Sequence, residues 1–229
     1  EGLEESECLP RSVTLNQNEV PTDVIQIGPL MYQGGIFPPN LGTWDGTETG
    51  TVACFAKSSE DLFCVTCAHC IAGPDRNPNT PSTVSIWSSS KSDYIPVGDS
   101  VIGVSGHGRG VMSDYGFSDV ALFSCRDQEL RDRAQTAPAL RALRLPKFGE
   151  TVFGFSGAGM RTGRIVGIES HLWSTYADIV VQVDAPGTFR GDSGMLWVNA
   201  EGHAVGIHAM GAIGAPGEGS TLTVAMSAG

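Results

Sequence analysis
The 229-residue chain is poor in basic charge, with 14 Lys and Arg against 25 Asp and Glu, a net charge of −11. No basic patch gathers the few cations, so a polyanion such as nucleic acid would be repelled and is not an expected partner. No apolar run approaches the roughly 20 residues that a membrane-spanning helix needs, so no membrane contact is expected either. An internal repeat is also lacking. What the chain has in quantity is turn formers. Its 30 Gly and 13 Pro are spread along the sequence rather than periodic, which argues for many turns and against collagen or disorder. The chain opens on Glu1, as expected of a processed chain or an excised domain, and the sequence leaves its compartment open.

Six cysteines, at 8, 54, 64, 67, 70 and 125, do not decide the redox setting. Cys64, Cys67 and Cys70 form a C-x2-C-x2-C run. Structural zinc wants four ligands and usually a second pair at a distance. The run sits among the β-formers Phe63, Val65 and Thr66, so it reads as small buried residues of a strand. No metal and no cofactor is expected. A metal-binding module on these three thiols is kept as an alternative, with stoichiometric zinc as its mark.

Residues 1–22 are polar and acidic and read as a poorly fixed arm. Beyond them, short apolar or alternating runs recur between turn signals, at 51–56, 62–67, 83–87, 100–104 and 119–123. After a gap they resume at 151–155, 164–168, 179–183, 195–198, 204–208 and 221–226. That spacing predicts an all-β barrel or sandwich. The Arg-, Ala- and Leu-rich stretch 126–144 has a helical look, but Pro138 limits it to a short helix and a linker. The economical reading is two antiparallel β-barrels, 23–125 and 148–229, joined by a linker at 126–147.

Three segments carry chemistry: Val-Thr-Cys-Ala-His-Cys at 65–70, Ser-Asp-Val-Ala-Leu-Phe at 118–123, and Gly-Thr-Phe-Arg-Gly-Asp-Ser-Gly at 187–194. Singly, each has a bland reading as a core-edge histidine, a strand-start aspartate and a turn. Together, in the order His, Asp, Ser and spread over both halves, they are far more specific. A serine hydroxyl is a poor nucleophile until a neighbouring base takes its proton. His69 suits that role, and Asp119 would fix its tautomer and stabilise the imidazolium. The competitors are weaker. Gly154-Phe155-Ser156-Gly157-Ala158 only faintly suggests a nucleophile elbow and lacks an α/β surround. His107, His171 and His203 have no partner motif, and Asp93, Asp99 and Asp114 do not head a matching apolar strand.

In these segments the chain resembles the chymotrypsin-like serine endopeptidases over roughly residues 45–226. Thr66-Cys67-Ala68-His69-Cys70 differs from that family's histidine motif only by Cys67 for Ala. Asp119-Val120-Ala121-Leu122 matches its aspartate strand, and Gly191 to Gly194 match its nucleophile motif. The resemblance implies two six-stranded barrels with the site in the cleft between them. It implies an acyl-enzyme mechanism on a polypeptide substrate, with triad His69, Asp119 and Ser193. The backbone N–H groups of Gly191 and Ser193 would form the oxyanion hole. A Cys54–Cys70 disulfide is also implied, because the family often bridges the cysteine after the histidine to one fifteen residues before that histidine.

The same resemblance speaks to specificity. Gly187 stands where family members that cut after Arg or Lys carry aspartate, so basic specificity is not expected. Thr188 and His208 match positions where glutamyl endopeptidases and picornavirus-type proteases place a hydroxyl and a histidine. Gly211 lies further along the same pocket strand. A hydroxyl and an imidazole converging on a small pocket suit a carboxylate or carboxamide and penalise an apolar side chain. Cleavage after Glu or Gln is therefore expected, a protonated His208 favouring Glu and a neutral one Gln. Arg190 either adds positive charge there or extends into solvent.

Asp192 matches the aspartate that, in zymogens of the family, pairs with an amino group freed by cleavage. No Ile-Val-Gly-Gly start is present, only weaker candidates such as Ile25 or Ile27. Dependence on N-terminal processing, an activating protease or a regulatory partner is the resulting expectation. An inactive protease-like module that binds peptide without cutting it is the alternative from another class.

Overall fold
Residues 119–124 read Asp-Val-Ala-Leu-Phe-Ser and bury Asp119, Ala121 and Phe123 while half-burying the residues between. A period of two with one face dry is what a strand of a covered sheet requires. The same logic recurs through the computed structural model. It describes residues 12–15, 18–21, 30–32, 40–42, 49–57, 61–71, 83–88, 91, 93–105, 119–136, 142–156, 159–172, 175–212 and 219–227.

In chain order these form β1 (Ser12–Leu15), β2 (Asn18–Pro21), β3 (Leu30–Tyr32), β4 (Asn40–Gly42), β5 (Thr49–Thr51), β6 (Cys54–Lys57) and β7 (Leu62–Thr66). A one-turn helix α1 (Ala68–Ile71) follows, then β8 (Thr83–Ser88), β9 (Asp93–Ser105), β10 (Asp119–Ser124) and helix α2 (Gln128–Thr136). The second half contains β11 (Thr151–Ser156), β12 (Gly159–Leu172), β13 (Thr175–Val183), β14 (Leu196–Asn199), β15 (Ala204–Ala212) and β16 (Leu222–Ser227).

The first large sheet runs β5-β4-β8-β9-β10-β7-β6, and the second β14-β11-β12-β13-β16-β15-β3. An added β14–β15 pairing closes six strands of the second sheet into a barrel. Val152, Ile165, Ile179, Val181, Val183, Met195, Trp197 and Val205 form its core. Each buried aliphatic there contributes about 1.5–3 kcal/mol. The first sheet packs Val84, Ile86, Val97, Ala121 and Phe123 with Cys64, Cys125 and Leu130 of α2. The all-β architecture expected from the spacing is the observed one; of the two expected six-stranded barrels the second is closed, and the first is a seven-stranded sheet among the described residues.

Three details differ from the sequence reading. Residues 12–15 and 18–21, expected in a loose arm, pair antiparallel with Val13 opposite Val20. Strand β3, from the segment assigned to the first barrel, adds to the edge of the second sheet beside β15. The run at 51–56 is broken after Thr51, whose N–H leaves the strand to donate to Ser193 O at 2.7 Å. Helix α2 ends before Pro138 as expected, and Asp127 Oδ1 caps its first turn by accepting the Leu130 N–H at 3.1 Å.

Candidate active site
Strand β7 hands the chain directly to α1, whose turn carries His69 between Ala68 and Cys70. Strand β10 pairs with β7, Ala121 opposite Thr66, and so brings its first residue, Asp119, beside that turn. Asp119 is fully buried and holds His69 at two points. The His69 backbone N–H donates to Oδ1 at 3.0 Å, and Nδ1 meets Oδ2 at 2.5 Å. The imidazole is thereby fixed in direction, with Nε2 facing the opposite way. Burial alone would lower the His69 pKa, but the neighbouring Cys70 and Asp119 charges and their hydrogen bonds raise it well above the ordinary value.

Ser193 lies in a turn between β13 and β14 that needs glycine on both sides. Gly191 has φ of 101° and Gly194 φ of 90°. A Cβ on Gly194 would stand 2.1 Å from Thr51 O, so the turn admits no side chain there. Ser193 is fully buried, and its Oγ donates to Ala209 O at 3.1 Å. Cys70 Sγ sits between the two parts of the site, 3.5 Å from His69 Nε2 and 3.7 Å from Ser193 O. The structure thus gathers His69, Asp119 and the Ser193 turn around one sulfur.

Two threonines to which the sequence reading gave no role at the site tie the halves together. Thr51 Oγ1 donates to Gly191 O at 2.6 Å, and Thr66 Oγ1 donates to Thr51 O at 2.8 Å. Their signal in sequence is weak, since a threonine opening or closing a strand is ordinary.

Asp192 departs most from expectation. Its buried carboxylate accepts from Ser156 Oγ at 2.5 Å, Arg161 Nε at 3.0 Å and the Phe189 N–H at 2.9 Å. Arg161 is itself buried and packs over the Phe189 ring, 5.4 Å from its centroid. The counter-charge expected from a freed amino group is supplied within the chain by β12. Ser156, weighed as a rival nucleophile, is instead a hydrogen-bond donor to Asp192.

The implied Cys54–Cys70 disulfide is absent, and both residues are free thiols. Cys54 lies on β6 opposite Val65, whereas Cys70 Sγ turns toward His69 Nε2 and hydrogen-bonds the Cys67 thiol. Cys67 stands where the resembling motif has alanine, and it gives Cys70 another sulfur to face. Burial opposes ionisation of Cys70, but the Cys67 hydrogen bond and the His69 charge bring its pKa down to about 6. Cys67 itself is raised by burial, and its sulfur also lies 3.1 Å from His208 O. Cys64 hydrogen-bonds Cys125 instead, so the three-thiol run divides between two neighbourhoods. Cys8 lies outside the described residues.

Of the pocket candidates, Gly187 has φ of 81° and a Cβ there would lie 2.4 Å from Ser220 O. Thr188 is buried in a bridge to Ser220, donating Oγ1 to its carbonyl at 3.4 Å. His208 is fully buried on β15, edge-on to Trp197 with centroids 6.2 Å apart. Desolvation lowers its pKa to about 4. Gly211 is buried on the same strand opposite Thr223, and Arg190 is exposed to solvent. Asp93 and Asp99 are engaged elsewhere, Asp93 with the Tyr94 N–H and Asp99 with Arg126 at 2.9 Å. His203 is half-buried, with its N–H on Asn199 Oδ1. His107, Asp114, Ile25 and Ile27 lie outside the described residues, as does the side chain of His171.

No protein-family model matches the sequence, and no curated protein matches it significantly. Solved structures do match. Thermobifida fusca Protease A aligns at 15% identity over 83% of this chain and 90% of its own, with a TM-score of 0.53. A glutamic-acid-specific serine protease, described as using a histidine triad in substrate binding, aligns at 16% identity over 84% and 93%, TM-score 0.54. An HtrA-type protease with a tripeptide aligns at 18% identity over 84% and 57%, TM-score 0.52. At such identities the likeness establishes the chymotrypsin-like fold.

Proposed function
We propose that the chain is a serine endopeptidase in which Ser193 attacks, His69 carries the proton and Asp119 orients His69. The observation that carries this reading is the pair of hydrogen bonds that Asp119 accepts from His69, with Nε2 on the other edge of the ring beside Cys70 Sγ, which is itself 3.7 Å from Ser193 O. The proteases of known structure that share the fold support the same class of reaction.

In the resting arrangement the Ser193 hydroxyl donates its proton to a hydrogen bond with Ala209 O. Attack requires Oγ to turn until it lies about 3 Å from His69 Nε2, which then takes the proton. The leaving amine takes that proton from His69, and water repeats the sequence on the acyl-enzyme. The N–H groups of Gly191 and Ser193 are the donors offered to the oxyanion. Thr51 holds the Gly191 carbonyl and so braces the turn on which those donors ride. Because Arg161 already neutralises Asp192, this turn needs no released amino terminus.

Thr188 and His208, with Gly187 and Gly211, are assigned to the pocket for the residue before the scissile bond. His208 is neutral at neutral pH, which favours the carboxamide of Gln over the carboxylate of Glu. Arg190, being exposed, is assigned no contact there.

The complete burial of Ser193 favours a second reading, a cleft that binds peptide without cutting it. One experiment separates the two: a peptide library incubated with the chain and with Ser193→Ala. Cleavage after Gln, with Glu next, that vanishes in the variant supports the first reading. Binding without cleavage in both proteins supports the second. Cutting after other residues retains the triad and removes the pocket assignment.

A further inference from the structure
Neither Cys67 nor Cys70 has a task in peptide hydrolysis, yet the two thiols meet beside His69. Cys67 precedes α1 and Cys70 stands within it, and the Cys70 N–H closes the turn by donating to Cys67 O at 3.1 Å. Residues three apart across such a turn hold their Cα atoms about 5 Å apart, inside the span of about 4.4–6.8 Å that a disulfide bridges. The side chains also converge, since the two thiols share a hydrogen bond. On its other side Cys70 Sγ lies 3.5 Å from His69 Nε2. That nitrogen is the one the Ser193 hydroxyl has to reach, and the hydroxyl is turned away to Ala209 O.

We propose that Cys67 and Cys70 form a redox site that a hydroperoxide closes to a disulfide, the open dithiol restraining His69 and the disulfide releasing it. A small oxidant enters past His69, whose side chain keeps 10% of its surface exposed over the two buried sulfurs. Cys70 is the attacking thiol. The Cys67 hydrogen bond and the His69 charge favour its thiolate, whereas burial keeps Cys54, Cys64 and Cys125 protonated. The thiolate takes the terminal oxygen of the hydroperoxide as the O–O bond breaks, which leaves a sulfenic acid on Cys70. The departing alkoxide, or hydroxide from hydrogen peroxide, takes the proton of the His69 imidazolium. The Cys67 thiol then attacks the Cys70 sulfur, and the S–S bond forms as water leaves with the Cys67 proton. Two electrons pass from the sulfurs to the peroxide, which departs as alcohol and water.

The same step changes His69. Its thiolate partner is gone and its extra proton has been spent, so the ring is left neutral with Nε2 open to the Ser193 hydroxyl. Asp119 faces the opposite nitrogen in both states. This release rests on the reading of Ser193 as nucleophile; formation of the disulfide does not.

Thiol mapping tests the site without turnover. The reduced chain is treated with hydrogen peroxide, quenched in acid, denatured, alkylated with iodoacetamide and sequenced by tandem mass spectrometry. Cys67 and Cys70 are expected to disappear together into a peptide two hydrogens lighter that carries alkylated Cys64. Their loss should be at least about tenfold faster than that of Cys64 or Cys125, and dithiothreitol should reverse it. In Cys67→Ser the reaction should stop at a sulfenic acid that dimedone traps on Cys70. Near-ultraviolet circular dichroism verifies folding, and the wild-type map decides alone if the variant does not fold. A Cys54–Cys70 or Cys64–Cys125 bridge formed ahead of Cys67–Cys70, or survival of both thiols, overturns the site. Release of His69 is read from its imidazole NMR signal, whose titration midpoint should fall by at least about one pH unit on oxidation; an unchanged midpoint overturns it. Peptide cleavage should rise at least about tenfold on oxidation and return with dithiothreitol, and an equal or lower rate likewise overturns the release. Cleavage in neither state removes the reading of Ser193, and the map and the NMR midpoint then decide the redox site.

Discussion
The two halves of the molecule build their shares of the site from different materials. The first half supplies His69 and Asp119 from a one-turn helix and a strand end, among thiols at 64, 67, 70 and 125. The second supplies the Ser193 turn from a closed barrel with an aliphatic core, braced by the buried Arg161–Asp192 pair. Protonation and sulfur chemistry adjust the first share. Fixed backbone geometry sets the second. The division shows why damage to one side is expected in rate, and damage to the other in stability.

The largest expected effect lies on the first side. Asp119→Asn should lower kcat about 10⁴-fold while the chain stays folded, as steady-state kinetics with circular dichroism would record. A loss under tenfold would remove Asp119 from the mechanism. On the second side, Arg161→Met leaves Asp192 buried without its cation and should cost about 3–5 kcal/mol in urea unfolding. Retention of full stability would mean that Ser156 and Phe189 suffice for Asp192.

His208 provides a smaller, pH-dependent test of the same side. Its folded pKa is lowered from 6.5 to about 4, so the unfolded chain takes up a proton first as pH falls. The stability it contributes is complete above pH 6.5 and is lost progressively toward pH 4, by about 3 kcal/mol. Comparing stability–pH curves of the wild type and His208→Phe should isolate that slope; parallel curves would contradict it. The smallest effect is expected at the junction of the halves. Thr51→Val removes the donor to Gly191 O and should cost about 1–3 kcal/mol, with kcat reduced more than KM is changed. An unchanged kcat would limit Thr51 to holding the fold together.

Most strands beyond residue 50 were legible because their apolar residues alternate or cluster between turn formers, as in Thr83–Ser88 and Leu222–Ser227. The long strands β9 and β12 were only partly read, since Pro96, Gly98, Gly163 and Gly167 interrupt their apolar patterns. Strands β1 to β5 escaped notice because each is only three or four residues long, too short to show an alternation. At the site, His69, Asp119 and Ser193 were readable because each sits in a local motif. Arg161 was not, because its pairing with Asp192 spans 31 residues and no local pattern announces such an ion pair. The disulfide expectation failed for a related reason. Spacing places Cys54 and Cys70 in the right order along the chain but says nothing of the Cys67 sulfur that Cys70 faces instead.

The Thr51 amide, donating across the junction to Ser193 O, also makes the molecule self-reporting. Its proton is sheltered only while the half carrying His69 and the half carrying Ser193 stay docked, so its hydrogen exchange is a clock for their separation. Any ligand, cation or substitution that loosens the active arrangement should quicken that single amide before the barrel interiors respond.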